Sequence, residues 1–157
     1  KLIEGIFEGE TINTPSMLAV EDYVDALEWA KSVGGLKGLQ DRANKNFAVL
    51  ANWVAKTPWI AFLAKKDAER SNTSVCFEVV DPAIKALPAD QQNAFAKQLA
   101  SLLEKENVAL DIGHYRDAPP GLRIWTGATI EASDLETLTP WLDWAFAQAK
   151  AAQAKAA

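Results

Sequence analysis

The chain is 157 residues long, enough for one ordinary hydrophobic core with an appendage. Hydrophobic residues make up 49% and charged ones 24%, a globular composition whose apolar runs are too short and too interrupted to span a membrane. The net charge of −5, with no basic stripe, argues against nucleic acid as a partner but leaves room for a small anionic ligand held by one or two arginines.

The chain opens on Lys1 with no charged-then-apolar signal region, as expected of a piece of a longer protein. Residues 1–12, with Gly5 and Gly9, read as loop or short extended pieces. Thr14-Pro15 predicts a helix start, Thr as N-cap and Pro at the first helical position. Met17, Val20, Val24 and Leu27 give that helix an apolar face, and Gly34-Gly35 stops it. A second helix follows, with Leu36, Leu39, Ala43, Phe47, Leu50 and Val54 as its stripe, until Thr57-Pro58 ends it.

Residues 74–80 alternate in the manner of a strand, with Val75, Phe77 and Val79 on one face, and Asp81-Pro82 closes the run. Residues 88–106 return to helix, with Phe95, Leu99, Leu102 and Leu103 inward. Val108, Leu110 and Ile112 suggest a second strand. Pro119-Pro120-Gly121 turns the chain into a third, from Leu122 to about Thr126. In the tail, Ser133 and Glu136 have the spacing of a capping box, and Pro140 should break the helix so that a new one starts with Thr139 as cap. The Ala/Lys/Gln end after Ala147 is expected to fray.

This order predicts an α+β fold, a two-layer α/β sandwich. A small mixed or antiparallel sheet of about three strands carries helices on one face and is preceded by a long helix. Strand order stays open.

Arg123 is the most informative residue. It sits mid-strand on the face opposite Leu122 and Ile124, shared with Trp125, and a buried arginine requires an anionic partner. Its guanidinium suits a bidentate clamp on a substrate carboxylate; an internal ion pair or a solvent-facing edge is the commoner use of such an arginine. His114, Tyr115 and Arg116 lie in the loop before the Pro-Pro-Gly turn, where His and Arg suit a phosphate or form a plain surface pair. Asn13 and Thr14 precede a helix, an anion-binding position that capping alone also explains. The helical tryptophans Trp29, Trp53, Trp59, Trp141 and Trp144 suit packing. Cys76 reads as a buried small hydrophobe. A single cysteine allows no internal disulfide and fits a reducing, cytoplasmic setting, and one His with one Cys excludes the usual zinc clusters, so no metal site is expected. There is no Ser/His/Asp or Gly-rich phosphate-loop pattern.

Three segments together resemble the phosphoserine aminotransferases, fold-type I enzymes dependent on pyridoxal 5'-phosphate: G-E-T-I-N-T-P-S-M-L at 9–18, R-S-N-T-S-V at 70–75, and I-G-H-Y-R-D-A-P-P-G-L-R-I-W at 112–125. The resemblance runs from Lys1 to about Ala147. It implies that Asn13 and Thr14 hold the cofactor phosphate of the neighbouring subunit in a homodimer, and that Arg123 clamps the substrate α-carboxylate. It gives the substrate phosphate to His114 and Arg116, although relatives have the His-Arg pair adjacent and closer to the clamp, whereas Tyr115 separates them here. It further implies that residues 1–35 are the end of a large cofactor domain with its interdomain helix, and 36–157 the C-terminal small domain. The lysine that binds the cofactor covalently then lies upstream of Lys1, so this stretch alone is inactive. The complete enzyme would convert glutamate and 3-phosphohydroxypyruvate into phosphoserine and 2-oxoglutarate, in serine biosynthesis. Two other readings stay open. One is another small-molecule aminotransferase, of the serine–pyruvate or alanine–glyoxylate type; the other is a non-catalytic binding or dimerisation module.

Overall fold

The structure, a computed structural model, describes residues 2–11 and 13–156. The chain forms two compact units, Lys1–Leu39 and Gln40–Ala157.

In the first unit, Leu2–Phe7 is a helix, α1, where loop is expected from the glycines. The N–H groups of Glu8 and Glu10 both donate to the Gly5 carbonyl and close its last turn. Helix α2 spans Met17–Ser32 and starts two residues later than Thr14-Pro15 suggests. Ser16 is the N-cap, its backbone extended and its hydroxyl accepting from the Ala19 N–H at 3.5 Å. Thr14 and Pro15 lie outside the helix. At the other end Gly34 takes φ 102° and Gly35 φ 63°, left-handed conformations that stop α2 where expected. Helix α3, Gly35–Val54, follows directly and passes from the first unit into the second.

The second unit is the two-layer α+β arrangement expected. Its sheet has three antiparallel strands in the order β1-β2-β3: β1 Ile60–Phe62, β2 Ser74–Val79 and β3 Gly121–Trp125. Strand β2 is the one expected from alternation, and β3 the one expected after the Pro-Pro-Gly turn. The third member is not 108–112 but β1, a short run in W-I-A-F-L with no alternation to mark it. Residues 108–112 fail as a strand because Asp111 takes φ 53°, which breaks the extended run. Only Gly113 reaches bridge geometry with Leu122, and the Ile112 carbonyl accepts from the Arg123 N–H at 2.8 Å. Arg123 therefore lies on an edge strand, partly covered by this loop, rather than on a central one.

Beyond β2, Asp81 caps the short helix α4, Pro82–Lys85, and helix α5 runs Ala89–Lys105. Asn107, at φ 56°, ends α5: its N–H donates to Glu104 O and that of Val108 to Leu103 O. Those two bonds are the paired closure that a left-handed residue after a helix permits.

Helix α6 is continuous from Ala132 to Ala156, through Pro140 and past Ala147. Proline deprives the Glu136 carbonyl of its N–H four residues on, and the Thr139 hydroxyl takes that place at 3.1 Å. Thr139 thus mends the helix instead of capping a new one. The start is capped differently too: the Asp134 carboxylate, not Glu136 with Ser133, reaches back to the Glu131 N–H at 3.3 Å.

One face of the sheet presents Ile60, Val75, Phe77, Val79, Leu122 and Ile124 to Leu50 of α3, Phe95, Leu99 and Leu103 of α5, and Leu142 and Ala145 of α6. Trp59 stacks on Phe146 at 4.4 Å. The Asp143 carboxylate accepts both indole N–H groups, Trp53 at 3.2 Å and Trp59 at 2.9 Å, so these two tryptophans are packing residues as expected. Among the described residues, no helix is long and apolar enough to cross a membrane.

Candidate functional site

The other face of the sheet carries Ala61, Ser74, Cys76, Glu78, Arg123 and Trp125, none of them fully buried. Cys76 is half-buried on this open face, opposite Arg123 in the strand register, and not the core hydrophobe that its strand position suggests.

Two features set β3 in place. Gly121 passes so close to β2 that a Cβ there would lie 1.8 Å from the Phe77 carbonyl oxygen, which explains the glycine after Pro119-Pro120. Behind the strand, Asn46 of α3 donates to Gly127 O and Ile130 O, both at 3.0 Å, and Arg42 donates to Ala128 O at 2.8 Å. Arg42 also pairs with Glu131, and that hydrogen bond holds the Glu131 carboxyl below its usual pKa. The R-S-N-T-S-V segment has the same supporting role. The Asn72 carbonyl accepts from the Thr126 hydroxyl at 2.8 Å, its side chain donates to Asn44 Oδ1 at 2.7 Å, and Arg70 donates to Ala64 O while lying over the Phe62 ring.

Arg123 projects from this frame with only 16% of its side chain exposed. The loop between α5 and β3 folds back over it. Tyr115 places its ring 4.4 Å from the guanidinium carbon, a cation–π contact. Asp111 accepts from Nη2 through its carboxylate at 3.1 Å and through its backbone carbonyl at 3.4 Å. The ion pair foreseen as one alternative is therefore present. It is unequal, however, because the Asp111 side chain is 91% exposed. It is also incomplete: Arg123 Nε is buried without a hydrogen-bond partner. An unpaired buried donor costs about 1–3 kcal/mol, so a second acceptor would be favoured there.

His114 comes into the same cluster, its Nδ1 3.3 Å from Gly121 O, and lines a small depression with Tyr115, Pro119, Leu122 and Arg123. Arg116 is exposed further along the loop. The structure thus brings His114, Tyr115 and Arg123 together. Asn13 and Thr14 belong to the other unit, exposed ahead of α2, and their side chains make no hydrogen bond to another described residue. Asp111 was missed as a site residue; the only trace in the sequence is an Asp, which tolerates a left-handed backbone, inside an otherwise strand-like run.

No protein-family model matches the chain. Among curated proteins, it is 56% identical over 146 residues to the phosphoserine aminotransferase of Methanosarcina mazei, and 55% identical over the same length to that of Methanosarcina barkeri. The chain resembles the phosphoserine aminotransferases along nearly its whole length. Each alignment covers 93% of the chain but only 37% of the relative, and falls in the relative's C-terminal portion. Solved structures agree on the fold. A phosphoserine aminotransferase from Bacillus circulans subsp. alkalophilus superposes with a TM-score of 0.71, at 17% identity, over 87% of this chain and 34% of that one. A second phosphoserine aminotransferase, studied for radiation damage to its Schiff base, gives 0.73 at 13% identity, over 91% and 36%.

Proposed function

We propose that this chain is the C-terminal part of a pyridoxal-phosphate-dependent phosphoserine aminotransferase, which transfers the amino group of glutamate to 3-phosphohydroxypyruvate. The observation that carries the reading is the 56% identity to a curated enzyme of that name along 93% of the chain. The geometry on β3 supports it. Arg123, largely buried, rigidly strand-borne and with an unspent donor, suits a two-point grip on an α-carboxylate. Tyr115 backs the guanidinium plane, so the clamp is oriented before substrate arrives. His114 and Arg116, on the loop beside it, are assigned the phosphate of the substrate.

The cofactor phosphate is assigned to Asn13 and Thr14. Their donor set fits it: a carboxamide and a hydroxyl, both exposed and both without a bond to another described residue. In the homodimer we propose, these two residues serve the partner's cofactor. Pyridoxal phosphate, when bound, supplies the electron sink for bond breaking at the substrate Cα. This chain's residues bind and orient the acid that reacts there. The lysine that carries the proton belongs to the remainder of the longer enzyme.

The test is substrate discrimination by the full-length protein. The reading expects strong preference for 3-phosphohydroxypyruvate over pyruvate and glyoxylate, and an Arg116→Ala enzyme whose KM rises for the phosphorylated substrate but not for glutamate. Equal use of pyruvate or glyoxylate assigns the chain to another aminotransferase type. Absence of any transamination returns it to a binding or dimerisation module.

A further inference from the structure

Resting on the carboxylate clamp proposed above, we infer that Asp111 is a stand-in for the substrate carboxylate, a positioning residue that neutralises Arg123 while the site is empty and competes with substrate for it. Asp111 is the one carboxylate paired with Arg123 among the described residues, and the two partners are very unequally placed. The guanidinium is fixed by its strand, by the Tyr115 ring and by burial; the Asp111 carboxylate stands 91% in water. An aspartate so exposed leaves at little cost, since surface ion pairs contribute little. A largely buried guanidinium, by contrast, gains from a counter-charge.

The contact is also poorer than the one substrate offers. Asp111 reaches only Nη2, by a carboxylate oxygen and its backbone carbonyl, and leaves the buried Nε unsatisfied. A planar carboxylate from a bound acid can meet two donors side by side, the arrangement guanidinium favours. Its backbone keeps Asp111 in place to act in this way. The left-handed φ of 53° turns the residue back toward β3, with the Ile112 carbonyl anchored on the Arg123 N–H next to it. Asp111 therefore neutralises the clamp while the site is empty and yields it on exchange of one carboxylate for another.

Asp111→Asn in the full-length enzyme tests this without disturbing the fold, because asparagine accepts the left-handed conformation at least as well. The charge, and with it the competitor, is removed. The expected result is a fall in KM for glutamate of roughly two- to five-fold with kcat unchanged. The same fall is expected in the inhibition constant of glutarate, a dicarboxylate with no amine to transfer. A merely structural Asp111 predicts the opposite sign, weaker binding of both. Unchanged or weaker binding in Asp111→Asn, while Arg123→Ala is crippled, overturns the role of Asp111 alone. Unchanged kinetics in Arg123→Ala overturn the clamp and this proposal together.

Discussion

The two faces of the three-stranded sheet are built from the same strands, one residue apart, and are solved in opposite ways. On the inner face Val75, Phe77, Val79, Leu122 and Ile124 are buried against three helices, and their polar needs end with the backbone ladder. On the outer face Glu78 and Arg123 keep charge near the strands, with partners that are themselves exposed: Lys65, Lys85 and Asp111. The inner face has no freedom left, because close packing punishes any change of volume. The outer face keeps its contacts exchangeable, which is what a ligand site requires. The difference teaches where to look for stability and where to look for binding.

The sharpest way to break that comparison is a pair of truncations on the neighbouring strands β2 and β3. Phe77→Ala empties the fully buried centre and should cost about 3–5 kcal/mol in urea unfolding. On the proposed carboxylate clamp, Arg123→Ala should cost about 2–5 kcal/mol of substrate binding in the full-length protein, roughly 30- to 5,000-fold in kcat/KM, with an unfolding midpoint near that of the parent. A large stability loss on removing Arg123, or a small one on removing Phe77, would mean the two faces do not divide the work in this way.

A buried carboxylate away from the site sharpens the contrast with Asp111. Asp81 caps α4, accepting from the Ala83 and Ile84 N–H groups at 3.0 and 3.3 Å, and from Lys150 of α6 at 2.6 Å. Burial pushes its pKa up, but the Lys150 hydrogen bond and the two backbone donors outweigh this and hold it below the ordinary carboxylate value. A depressed folded-state pKa contributes stability above the unfolded value, and the contribution is lost as pH falls through the folded one. Asp81→Ala should therefore cost about 0.5–2 kcal/mol at neutral pH, from the lost cap. The gap between variant and parent should narrow as pH drops below about 4. A gap independent of pH would contradict the ionic part of this account.

The smallest effect is expected at Glu78. Its partners Lys65 and Lys85 are largely exposed, so Glu78→Gln should change stability by less than about 1 kcal/mol, and less again in high salt. A larger value in a urea titration would make the outer face structural after all.

Much of this was legible in the chain. Alternation marked β2, since a strand with one buried face must write that burial at every second residue, and the Pro-Pro-Gly turn marked the start of β3. Apolar residues three and four apart marked α3 and α5 for the corresponding reason, and marked α2 as well, although its stripe of Met17, Val20, Val24 and Leu27 is exposed. The Gly34-Gly35 stop was readable because few residues other than glycine accept φ 102°. Arg123, His114 and Arg116 could be singled out by type and position. Other features were not local. β1 is three residues long and owes its existence to pairing with β2, so nothing within it announces a strand. Pro140 reads as a break because the sequence shows the missing N–H but not the Thr139 hydroxyl bonded to the Glu136 carbonyl. Residues 108–112 carry a strand's pattern, and one left-handed residue undoes it.

By itself, then, the sequence determined which faces are apolar, where most elements start and stop, and which residue types are available for anion binding, because each depends on near neighbours along the chain. The tertiary structure alone decided that Arg123 sits on an edge strand under a folded-back loop, that Tyr115 and Asp111 meet its guanidinium, and that Nε is left unpaired. Those contacts join residues that only the packing of β3 against the preceding loop brings within reach, and a buried charge takes its partners from space rather than from sequence.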